Sequence, residues 1–139
     1  MNKSDHNWGI YKGNMDGKSY SMRVNDVDYK DMSKNYFYKV GIAVPFNWTT
    51  ETGMPSRVEL ESLNGIEDYL FKVIRSDKDI MVAVVTGNNV EEFIFYTSDP
   101  ESFAELYKKK IQSYITDHKS QFYYKEDKNW DTYLALKGK

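Results

Sequence analysis

Only His6 and His118 offer an imidazole for proton transfer near neutral pH or for metal ligation. Neither has a second histidine three to five residues away, so the paired spacing of a zinc-binding helix is absent. His118 falls where a second helix should end, where a cationic ring interacts favourably with the helix dipole, and we expect that structural role. The chain has no cysteine, which removes disulfides, thiolate zinc sites and a cysteine nucleophile. Asp26, Asp28 and Asp31 resemble the opening of a calcium loop. Lys30 and Asp31, however, occupy the positions at which an EF-hand needs an oxygen ligand and a glycine, so a solvated acidic loop is expected. Glu67-Asp68 and Glu91-Glu92 are adjacent pairs, the second on a strand, where neighbours point to opposite faces, and neither reads as an acid–base dyad. Lys108-Lys109-Lys110 fans around a helix and reads as a solvated face. No catalytic residue, no metal ligand set and no cofactor-binding motif is expected, and the chain is not expected to be an enzyme.

The elements that would position these residues follow from the hydrophobic period. Alternation in Tyr38, Val40, Ile42 and Val44 predicts a strand over Tyr36–Val44, stopped by Pro45. The 3.6-residue stripe Leu60, Leu63, Ile66, Leu70 and Val73 predicts a helix over 57–75, opened by the capping-box pattern of Ser56 and Glu59. Ile80–Thr86 and Val90–Thr97 flank Gly87-Asn88-Asn89 and should form a hairpin. Asp99-Pro100 starts a second helix with the stripe Phe103, Leu106 or Tyr107, Ile111, and Tyr114 or Ile115. Gln121–Lys125 closes the sheet. The order strand, helix, strand, strand, helix, strand is the split β-α-β arrangement, and the expected class is an α+β, ferredoxin-like two-layer sandwich.

Two additions flank that core, which should span 36–126. Trp8–Tyr11 and Tyr20–Val24, joined at Asp16-Gly17, predict an N-terminal β-hairpin within 6–25 with one wet side. The polar stretch 25–35 reads as an exposed connection. Residues 127–139 should form a C-terminal cap, with Trp130, Tyr133 and Leu134 on one side.

A chain of 139 residues is one domain by size and should bury roughly 70% of its unfolded surface. With 19 basic and 21 acidic side chains the formal charge is −2, which argues against a general nucleic-acid binder, since phosphate neutralisation supplies most of such affinity. Val90–Thr97 also carries two glutamates where an RNA-binding strand needs basic and glycine residues. No apolar run follows the charged residues Met1–His6, so no secretory leader is expected, and the Asn47-Trp48-Thr49 sequon then has no role. The longest apolar stretch, Ile80–Val85, is too short to span a membrane. A cytoplasmic protein without membrane contact is the expectation.

Aromatic residues make up 16% of the chain, with 12 tyrosines, and two helices on one sheet have limited room for them. Either the hairpin and the tail cover the surplus, or a partner does. Because protein interfaces are enriched in tyrosine and tryptophan, the candidate partner contacts are Trp8, Tyr36, Tyr38, Trp48, Tyr123, Tyr124, Trp130 and Tyr133.

The order of signals resembles a bacterial family known as domain of unknown function 695. The matching pieces are Trp8–Tyr11, the Asp16-Gly17 turn with Met22-Arg23-Val24-Asn25, Val40–Pro45, Gly53-Met54-Pro55, Leu63–Glu67, Glu92–Tyr96 and Asp127-x-x-Trp130-x-x-Tyr133. The last piece is also similar to the regulator of ribonuclease activity B family, whose members have a ferredoxin-like fold and inhibit an endoribonuclease by binding it. That similarity implies a non-catalytic, protein-binding role and transfers no catalytic residue. The expected function is therefore a protein-binding regulator or inhibitor of a bacterial enzyme such as a nuclease, of unknown oligomeric state and with a protein partner. The rivals are a toxin-neutralising immunity protein and an enzyme with a small-molecule pocket, for which the Phe46–Pro55 loop is the candidate place.

Overall fold

The computed structural model describes residues 8–15 and 18–138; the Asp16-Gly17 turn and His6 lie outside the described residues. Six strands form a single sheet: β1 (Trp8–Met15), β2 (Lys18–Asn25), β3 (Tyr38–Pro45), β4 (Asp79–Gly87), β5 (Val90–Thr97) and β6 (Gln121–Glu126). Their order is β1-β2-β4-β5-β3-β6, and every neighbouring pair is antiparallel. A mixed α+β architecture is thus established. The N-terminal hairpin is not an appendage, because β2 pairs along β4 from Tyr20↔Gly87 to Val24↔Ala83 and extends the sheet.

Helix α1 is the short turn Tyr29–Met32, and α2 runs Arg57–Val73. The Ser56 hydroxyl accepts the Glu59 amide at 3.2 Å, as the capping pattern predicts. Helix α3 starts at Pro100 with the Asp99 carboxylate accepting the Ser102 amide at 3.1 Å. It runs Pro100–Leu106, widens into a π turn over Tyr107–Ile111 and ends in Gln112–Tyr114. The wider turn fits the spacing of its buried residues. Phe103, Tyr107, Ile111 and Ile115 recur every fourth position and would drift around a regular 3.6-residue helix. Helix α4 is Asp131–Lys137.

Two cores lie on the two faces of the sheet. Val40, Ile42, Phe93, Phe95 and Val84 point to one face and bury Leu63, Ile66 and Leu70 of α2 together with Phe103, Tyr107 and Ile111 of α3. Their strand neighbours Ile94, Tyr96 and Ala83, with Met22 and Val24, point to the back face and receive Trp130 and Tyr133. The back-face core also holds Val27, Tyr29, Met32 and Tyr36 against it, so the stretch 25–35 is not an exposed connection. Asn25 is buried and donates its side-chain amide to the Met81 carbonyl at 3.1 Å. The reason is periodic burial inside a polar sequence: Val27, Tyr29 and Met32 supply the apolar contacts while the aspartates stay outside.

The hairpin side expected to be wet is also partly covered. Arg23 faces α2 and forms a two-pronged ion pair with Glu67, and Trp8 packs edge-on against Phe71 at 6.2 Å. In the C-terminal cap, Leu134 is exposed and Leu136 turns inward in its place. The cap is set by Trp130, which adopts a left-handed backbone (φ 58°), and by Asp127, whose carboxylate accepts the Asp131 and Thr132 amides.

The β4–β5 turn is held by Asn88 and Asn89, both at positive φ (54° and 64°), as a two-residue hairpin requires. The loop after β3 docks on this turn. Phe46 donates its amide to the Asn89 carbonyl at 2.9 Å, and Asn89 returns a bond to the Gly53 carbonyl at 2.9 Å. Gly53 stands at φ 80°, and a Cβ there would meet the Asn88 nitrogen at 2.7 Å.

Candidate functional site

The eight aromatic candidates do not form one patch. Trp130 and Tyr133 have no exposed surface; Trp130 stacks on Tyr96 at 4.0 Å and donates its indole N–H to the Tyr36 carbonyl at 2.7 Å. Their own chain covers them, because the apolar stripe of the tail folds back onto the sheet, and this removes both from the set able to touch a partner. Tyr36 is half-buried beside them. Trp8 is half-buried at β1, and Trp48 stands alone on the loop after β3, 59% exposed.

Tyr38, Tyr123 and Tyr124 do come together, at the β3–β6 margin of the sheet. Tyr38 and Tyr124 meet edge to face at 6.4 Å on the helix side. Tyr123 lies on the back side over Gly41, its cross-strand partner, where any Cβ would fall 2.2 Å from the ring. Its hydroxyl donates to Glu92 at 2.5 Å, and Lys39 sits 5.3 Å from the ring centre. Burial first, then that hydrogen bond, raises the Tyr123 hydroxyl well above its ordinary value, so it remains a donor.

Among the described residues strand β6 pairs only with β3 and forms an edge of the sheet. Its backbone polarity can be read from one bond. The Asp127 amide donates to the Phe37 carbonyl at 2.7 Å, in the register that pairs Tyr38 with Glu126. Inward and outward groups alternate along an antiparallel strand, so Lys125, Tyr123 and Gln121 bond to β3. Phe122, Tyr124 and Glu126 direct their N–H and C=O groups away from the sheet. Five of the six side chains in the strand, all but Phe122, are exposed, with Tyr123 and Tyr124 38% and 42% exposed. No proline or bulge interrupts the strand. Such an edge is a template for another strand.

Two polar clusters were not legible in the sequence. Glu59 does not close a capping box on Ser56. Its two oxygens accept the Trp48 amide at 3.0 Å and meet His118 Nε2 at 2.7 Å, with both side chains fully buried. His118 lies beyond the end of α3 at Tyr114, so it is not a dipole partner in a last turn but a tie between three segments. Its Nδ1 is buried without a hydrogen-bond partner, and the Asp117 carboxylate is 3.7 Å from it. The second cluster is Arg23, Glu67 and Glu91. Glu91 is pushed up to about 7, by burial first and by the Glu67 charge second, against Arg23 and a Thr86 hydrogen bond. Neither cluster is among the walls of the cavity at Tyr20 and Val85 or of the one at Trp8 and Val24, and among the described residues no group of three or more acidic, histidine or cysteine side chains is placed to hold a metal.

The chain is thus an α+β protein on one antiparallel sheet with an aromatic open edge. It belongs to a family of unknown function, DUF695, whose model matches residues 6–136. No curated protein and no solved structure matches the chain. No helix among the described residues is long and apolar enough to cross a membrane.

Proposed function

We propose that this protein is a non-catalytic protein-binding module that regulates or inhibits an enzyme, and that it holds its partner by strand addition at β6. The observation that carries this reading is the outward row of backbone donors and acceptors at Phe122, Tyr124 and Glu126, flanked by exposed Tyr123 and Tyr124. Main-chain bonds supply affinity in such complexes, and alternate side chains supply selectivity. A partner strand antiparallel to β6 would stack apolar side chains on Phe122 and Tyr124 from the helix side. The chain order β3-α2-β4-β5-α3-β6, with strand order β4-β5-β3-β6 and both long helices on one face, supports reading the core as ferredoxin-like. The Asp127-x-x-Trp130-x-x-Tyr133 segment serves the cap of that core, so a regulatory role rests on the edge and not on this segment.

The test uses a photo-crosslinking residue in place of Phe122, in extract of the source organism. Discrete adducts are expected at Phe122 and absent at Lys109, an exposed position on α3. Tyr124→Pro removes an outward N–H without removing a bond to β3, so the chain should fold and the adducts should disappear. Tyr124→Ala keeps the N–H and should retain them at reduced yield. Adducts that survive Tyr124→Pro contradict strand addition, and a chain without adducts contradicts the binding role.

A further inference from the structure

A second feature lies on the back face, away from the outward backbone groups of β6. Helix α4 and α1 cover only the end of that face around Val24, Ile94 and Tyr96. The other end is left as an open trough of about 500 Å³, walled by Tyr20, Met22, Val85, Val90 and Leu136, with Glu92 the only acidic side chain among its walls in the described residues. The volume lies within the range of small-molecule sites, roughly 300–1,000 Å³. The wall is pre-formed. Tyr20 sits between two cross-strand glycines, Gly13 and Gly87, and a Cβ at Gly13 would fall 2.5 Å from its ring. Glycine on both flanks therefore lets this ring lie along the sheet instead of filling the trough.

The polar groups give the trough a sign. Lys18, on the rim, turns its ammonium to the Glu51 carbonyl at 3.2 Å. Lys39 bonds Thr132 at 3.3 Å beside the Tyr123 ring and feels the Glu92 charge, but it is not a wall residue. Glu92 is steadied by the Tyr123 hydroxyl, which serves only as donor to it. An apolar trough in which the Glu92 carboxylate is held by a hydroxyl and the Lys18 ammonium is turned to a loop carbonyl at the rim is complementary to an apolar cation.

We propose that this trough binds a small molecule with an apolar body and one ammonium or guanidinium group, the cation seated on Glu92. Octylammonium, octanol and octanoate are suitable probes on the full chain, followed by the backbone amide shifts of Val85, Gly87 and Val90. Octylammonium is expected to bind saturably and about tenfold more tightly than octanol, the gain of one charge-assisted hydrogen bond. Octanoate should not bind. Glu92→Gln should lower octylammonium to the octanol level, and Val90→Trp, which fills the trough, should abolish binding of both. The proposal is overturned if octanoate binds as well as octylammonium, if Glu92→Gln leaves octylammonium unchanged, or if none of the probes shifts those amides.

Discussion

Glu91 lies on β5 facing α2, and its carboxyl is raised from an ordinary 4.5 to about 7 by burial and by neighbouring Glu67. A carboxyl raised on folding favours the native state while it is protonated. Its contribution is full below the unfolded value and is lost as pH rises through the folded value, so stability should fall between about pH 5 and pH 8. Replacing Glu91 with Gln keeps a hydrogen-bonding group and removes the charge. Thermal melts should show the variant more stable than the parent at pH 8, by on the order of 2–3 kcal/mol, with the difference vanishing near pH 4.5. Equal melting temperatures at pH 8 would contradict the assignment. At this scale the sequence was only half legible. Ser56 and Asp99 announce their capping bonds because both partners lie three residues on. The Glu59–His118 and Arg23–Glu67 contacts were invisible because 59 and 44 residues separate the partners, and only the packed fold joins them.

Among the elements, α4 shows how short a segment can close a core. Seven helical residues could not persist alone, so the turn owes its structure to Trp130 and Tyr133 packing on Tyr96 and to the Asp127 cap. Trp130→Ala should therefore cost about 3–5 kcal/mol in denaturant unfolding. A loss within about 0.5 kcal/mol would show that the ring is not a core residue. Strand and helix identities were readable because the period changes from two to near four. The π turn of α3 was foreshadowed only as an ambiguity between Leu106 and Tyr107 and between Tyr114 and Ile115 in its stripe. Fourfold spacing selects Tyr107 and Ile115, both buried, and leaves Tyr114 to stack on Tyr69 at 3.9 Å near the surface.

For the whole molecule, the sheet has two ends of different character. At one end β1 and β2 extend it past β4, a pairing that no local pattern encodes because Ser19, Ser21 and Arg23 read as a solvated face. At the other end β6 stops it with outward amides and exposed tyrosines. Surplus aromatics were legible as a count, but their division was not: Trp130 and Tyr133 are enclosed, while Tyr38, Tyr123 and Tyr124 gather at the margin. A binding role for that margin makes a direct demand on its backbone. Amide hydrogen exchange along β6 should alternate in the free chain, slow at Tyr123 and Lys125 and fast at Phe122, Tyr124 and Glu126. In the complex captured through Phe122, the three fast amides should become protected together. Amides at Phe122 and Tyr124 that are already protected in the free chain, or that stay fast in the complex, would contradict the account.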